Sequence, residues 1–125
     1  MKIVIETIKN ELQKYPTVGD YWIDEDGTWQ IRVSEMDNWK YEMAVAIHEL
    51  WEQALCFDRG IKEPDITAFD IAFENKREEG NNDEPGDSPK SPYAREHCSA
   101  TGIERLFISE VNESWSDYDK AVCSL

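Results

Sequence analysis

Three side chains able to bind a metal or move a proton fall close together at His48, Glu49 and Glu52. They lie within Met43–Gly60, whose apolar residues recur at helical spacing. At about 100° per residue, His48 and Glu52 stand one turn apart on the same side, with Glu49 displaced by about 100°. An imidazole above a carboxylate offers two ligand atoms to one ion, and a second carboxylate beside them offers a base. The expected core face is the opposite arc: Met43, Ala46, Ile47, Leu50, Trp51, Ala54 and Phe57, with Gly60 leaving the helix through a left-handed cap. Val45 lies one turn before the trio and Leu55 and Cys56 one turn after it, so the polar cluster is expected to be partly covered.

The order His48-Glu49-x-x-Glu52 resembles the active-site helix of the zincin metallopeptidases. There, His-Glu-x-x-His supplies two zinc ligands and a glutamate that acts on the metal-bound water. Here Glu52 stands where the second histidine would be. The resemblance implies His48 as first ligand, Glu49 as general base and Glu52 as second ligand, with amide hydrolysis as the chemistry. Zinc accepts carboxylate oxygen, and a catalytic site needs only three protein ligands and a water. Two histidines and one glutamate therefore suffice, and the chain's one other histidine is His97.

His97 belongs to a second long helical segment, opened by Ser91 and Pro92 as N-cap and first helical residue and running to about Val111. On its wheel Ala94, Ala100, Thr101, Phe107, Ile108 and Val111 fall within about 80° of His97, and Glu104 lies about 20° away. Both ionisable residues point inward. Such a pair must find hydrogen bonds, a counter-charge or a metal, because burying it alone costs several kcal/mol. Glu104 is expected to serve as a fourth ligand or as the acceptor that orients an imidazole from behind.

The elements that must position these residues read as one α+β domain over residues 1–125. It is mainly helical, with a small antiparallel β-hairpin or sheet beside the central metal-type helix. Residues 3–15 carry Ile5, Ile8 and Leu12 at near-helical spacing up to Pro16, which predicts a first helix, with a short strand at Ile3-Val4-Ile5 as the competing reading. Tyr21-Trp22-Ile23 and Thr28–Val33 flank a turn ending in Asp26-Gly27, and Trp29, Ile31 and Val33 form the packed face of the resulting hairpin. Asp37 is the expected N-cap of the central helix. A short helix follows Pro64, with Asp65 as cap, Ile66, Phe69 and Phe73 on one face and Asp70 at its edge. Residues 75–92 hold no aliphatic or aromatic residue and are rich in turn formers, predicting a mobile polar loop over about 75–91, with a lid or binding loop as one reading of it. Trp115, Tyr118 and Val122 suggest a last short packed turn with no evident chemistry.

Composition narrows the function. The 125 residues include 40% hydrophobics and five Trp, enough for one modest core. A net charge of −14 opposes binding to nucleic acid or to an anionic membrane surface, and no apolar run reaches bilayer length. A cytoplasmic protein is the expectation. Cys56, Cys98 and Cys123 are odd in number and widely spaced, which reads as reduced thiols filling core positions, Cys98 included.

The leading reading is a zinc-dependent hydrolase acting on a peptide or protein substrate, with His48, Glu52 and His97 as ligands and Glu49 as base. Two others stay open: an acidic, non-enzymatic protein that binds a basic partner as a DNA mimic or inhibitor, and an interaction protein whose zinc is structural and closed by Glu104. Two histidines and a carboxylate also suit nonheme Fe(II), but such sites usually sit on barrel strands, which are too few here.

Overall fold

The computed structural model describes residues 1–125. The chain folds as an α+β protein, mainly helical, with three strands and four α-helices in the order β1 (Ile3–Ile8), β2 (Gly19–Ile23), β3 (Trp29–Ser34), α1 (Trp39–Asp58), α2 (Glu63–Asn75), α3 (Ala94–Glu110) and α4 (Trp115–Cys123). No helix is long and apolar enough to cross a membrane.

The sheet has β3 at its centre. β2 pairs with it antiparallel across the expected hairpin, and β1 pairs parallel on the other side, Ile5 opposite Ile31. The sheet is thus mixed rather than antiparallel, and the helix predicted over residues 3–15 is instead a strand followed by a single 3-10 turn at Asn10–Leu12. The β-branched run Ile3-Val4-Ile5 finds a long-range partner in β3, which outweighs a helical spacing carried by only three residues. The packed face of β3 is as expected, with Trp29, Ile31 and Val33 buried. Full burial of a side chain such as Ile31 stabilises by about 1.5–3 kcal/mol.

α1 starts earlier than its apolar pattern suggests. Asn38, not Asp37, is the N-cap: its side chain accepts from the Lys40 N–H at 3.0 Å, while Asp37 takes a left-handed φ of 54° one residue before. The exit is as expected. Gly60 has φ 70°, and Ile61 N–H and Gly60 N–H return to the carbonyls of Cys56 and Phe57, a Schellman motif.

The buried side of α1 differs from the predicted one. Val45, His48, Glu52 and Cys56 turn inward with Ala44, Ala46 and Gln53, whereas Met43, Trp51, Ala54 and Phe57 of the expected core arc are exposed. α1 packs principally against α3, and the side chains between them include the polar cluster. A polar group is driven to the surface only when it lacks partners inside. Here the partners come from other elements.

α3 begins at Ala94, with Ser91 and Pro92 in the turn before it, where Ser91 Oγ accepts from Tyr93 N–H at 3.2 Å. It too ends in a Schellman motif, with Asn112 at φ 58° in the left-handed position. That reversal brings α4 back against the core, where Tyr118 is fully buried beside Tyr41 and Trp115, each ring centroid 5.3 Å from its own. α2 carries Ile66 and Asp70 inward; its helix begins at Glu63 with Lys62, rather than Asp65, at the N-cap position. Residues 76–93 form the expected loop, containing one 3-10 turn at Pro85–Asp87 that rests against α2 and α3. Of the cysteines only Cys56 is buried; Cys98 and Cys123 are exposed, so neither fills the core.

Candidate metal centre

α1 and α3 bring His48, Glu52 and His97 together in the interior. His48 Nε2 lies 3.2 Å from Glu52 Oε2 and 3.2 Å from His97 Nδ1, and His97 Nδ1 lies 2.9 Å from the same carboxylate oxygen. All three residues are buried, and their ligand atoms fall within 4.8 Å of one another, a spacing compatible with a metal site. Helix geometry puts His48 and Glu52 one turn apart on α1, and the apolar stripe of α3 turns His97 to meet them.

Glu104 sits behind this group. Its Oε1 accepts from His48 Nδ1–H at 2.7 Å, and its Oε2 accepts from the Tyr118 hydroxyl of α4. A hydrogen bond at Nδ1 leaves the neutral imidazole with its lone pair on Nε2, aimed at Glu52 and His97. The tyrosine had no reading as a site residue in the sequence. Tyr21, also unforeseen, does the corresponding work for Glu52: its hydroxyl donates to Oε1 at 2.9 Å, leaving Oε2 to face the histidines.

Comparison with protein-family models, with curated proteins and with solved structures finds no match for the chain. The chemistry of the site rests on its own atoms.

Their ionisation states follow from burial and pairing. Burial alone would lower the pKa of His48, but hydrogen bonds to Glu104 and Glu52 carry it well above the usual value. His97 is likewise raised, to about 10, against its burial, by the adjacent Glu52 and Glu84 carboxylates. Burial would raise Glu52, yet the two imidazoles hold it down at about 2. The neighbouring carboxylates thus favour the protonated form of each imidazole, and a divalent cation would compete with protons for these nitrogens.

Glu49 lies beside the group, on the wall of a cleft of about 340 Å³ that also reaches Tyr15, Asp20 and Asp70. Burial, then the neighbouring Glu52 carboxylate, pushes its pKa well above the usual carboxylate range. Gly19, at the start of β2, presses on it directly: a Cβ at this position would come within 2.6 Å of Glu49 Oε1. Further along the cleft Asp70 accepts hydrogen bonds from Tyr15 and Tyr93, and burial raises its pKa to about 6.

The polar loop closes the far side of His97. Glu84 Oε2 and Asp87 Oδ1 lie 2.9 and 3.3 Å from Nε2. Arg77 ties the loop down, donating to Asn81 O and Asp83 O while its guanidinium pairs with Glu74. The only sequence signal for these two acids was the turn-forming Pro85-Gly86 between them, which marks a turn but not its neighbours' chemistry.

Proposed function

We propose that the chain is a zinc-dependent hydrolase in which His48, Glu52 and His97 hold the ion and Glu49 is the general base. The observation that carries this reading is the convergence of three buried donor atoms, two imidazole nitrogens and one carboxylate oxygen, next to a carboxylate that faces an open cleft. Zinc held by such a set supplies positive charge that lowers the pKa of water toward neutrality and polarises a carbonyl.

The chain's own residues do the rest. Glu104, held by Tyr118, accepts from His48 and fixes which of its nitrogens is free. Tyr21 fixes the rotamer of Glu52 in the same way. Glu49 accepts a proton from water in the cleft and returns it to the leaving group. The engagement of Glu104 with the far nitrogen of His48 favours an open, three-donor site over a structural one closed by a fourth protein ligand. As the substrate we propose a peptide or protein segment, the class that the resemblance of His48-Glu49-x-x-Glu52 to the zincin helix implies, held in the cleft that Val18, Gly19, Asp20 and Tyr21 line.

The test is elemental analysis of tag-free protein and its His48→Ala and His97→Ala variants, followed by hydrolysis of a fluorogenic peptide library by wild type and Glu49→Gln. Tightly bound zinc that is lost from both histidine variants, with cleavage that depends on Glu49, is the expected result. Wild-type protein that takes up no zinc would overturn the reading.

A further inference from the structure

His97 offers two ring nitrogens, and the three-donor site uses only Nδ1. Nε2 is turned toward the loop, belongs to a side chain only 7% exposed, and makes no hydrogen bond. Leaving a buried polar atom unpaired costs about 1–3 kcal/mol. Two carboxylate oxygens nonetheless stand at contact distance from it, Glu84 Oε2 at 2.9 Å and Asp87 Oδ1 at 3.3 Å, neither in hydrogen-bonding geometry. A ring N–H serves one acceptor along one line, so a proton there accounts for one carboxylate and leaves the other in repulsion.

The loop is built to keep both acids in place. Asp87 N–H donates to Glu84 O at 3.0 Å, and Glu84 N–H donates to Asp87 Oδ2 at 3.3 Å, which leaves Oδ1 free to face the imidazole. Gly86, between them, is buried against the ring, and a Cβ there would overlap His97 itself. The turn is therefore seated on the imidazole face, with an acid on either side of the contact.

We propose that His97 Nε2, Glu84 and Asp87 form a second divalent-cation site, with His97 serving as ligand through both of its ring nitrogens. One imidazole and two carboxylates, with the acids' side chains 49% and 57% exposed, suit a first-row transition ion such as zinc that keeps part of its water shell. With both sites filled, both ring nitrogens of His97 would have to be deprotonated, and the protons so displaced would pass to solvent. The second site shares His97 with the three-donor centre but needs none of its other ligands.

The experiment is calorimetric titration of zinc chloride into the metal-stripped full chain, with circular dichroism confirming that each variant is folded. Wild type is expected to bind two equivalents, the second more weakly. The Glu84→Gln/Asp87→Asn double variant should bind one, with the tight event kept within about threefold. Glu52→Gln should weaken the tight event and spare the other. A second event unchanged in the double variant, or a wild type saturating at one equivalent that the double variant retains, would overturn the second site. A single equivalent lost in the double variant but kept in Glu52→Gln would instead overturn the three-donor centre and leave this one standing.

Discussion

Replacing Glu104 with Gln separates the two roles its position allows. The carboxylate accepts from His48 Nδ1–H at 2.7 Å through one oxygen and from Tyr118 through the other, and both partners are buried. Gln is isosteric and keeps one accepting oxygen for His48, while its amide group faces a tyrosine hydroxyl that can accept instead. Packing is retained and no polar atom is stranded. The negative charge is lost, and a bond to a charged group is worth about 1.5–3 kcal/mol against about 0.5–1.5 for a neutral one, so the metal-free protein should lose about 1–2 kcal/mol. Removing the partner that orients a ligating histidine costs about 10–100-fold in metal affinity, or roughly 1.4–2.8 kcal/mol. Competition with a chromophoric zinc chelator at pH 7.5 measures the second quantity, and urea unfolding in the presence of a chelator measures the first. Affinity within twofold of wild type would refute the orienting role. A loss as complete as that of His97→Ala would make Glu104 a direct ligand.

Three further outcomes are expected. Glu49→Gln should retain bound zinc while lowering peptide hydrolysis by about 10²–10⁴-fold, the usual contribution of a general base, measured as turnover per bound zinc; Gly19→Ala, whose Cβ would displace the Glu49 carboxylate, should act in the same direction. The folded-state pKa of His97 is raised to about 10, so its pairing stabilises the metal-free protein fully below the unfolded value near 6.5 and is lost as pH rises from there toward 10. Urea midpoints in chelator should fall across that window, and less steeply in His97→Gln. Tyr15→Phe removes a 3.2 Å hydrogen bond to Asp70, whose pKa is raised to about 6 by burial, so the variant should be destabilised by about 1 kcal/mol above pH 6, where the carboxylate is ionised. At pH 4 its urea midpoint should lie closer to that of wild type.

The helices that carry the site were legible because their spacing is a local property. His48 and Glu52 one turn apart, and His97 and Glu104 in an apolar stripe, follow from the period of the helix alone. The inward side of α1 was not legible, because the rule that polar residues face out holds only while they lack partners. His48 and Glu52 find theirs on α3 and β2, far away in sequence. The same distance left β1, whose parallel partner is β3, as only the competing reading of Ile3-Val4-Ile5, and hid Tyr21 and Tyr118, since a tyrosine reads as an apolar ring until its hydroxyl meets a carboxylate. Glu84 and Asp87 were obscured differently: among 27 acidic residues, two more in a polar loop carry no signal of their own.

The linkage from Tyr118 through Glu104 to His48 also makes the site indivisible. A peptide copying α1 would carry His48, Glu49 and Glu52 in sequence but not the carboxylate that selects the tautomer, the hydroxyl that steadies that carboxylate, or the facing imidazole. Transplanting the centre onto another scaffold therefore means moving a sheet edge, two long helices and a docked α4 together. Its portability is that of the whole domain.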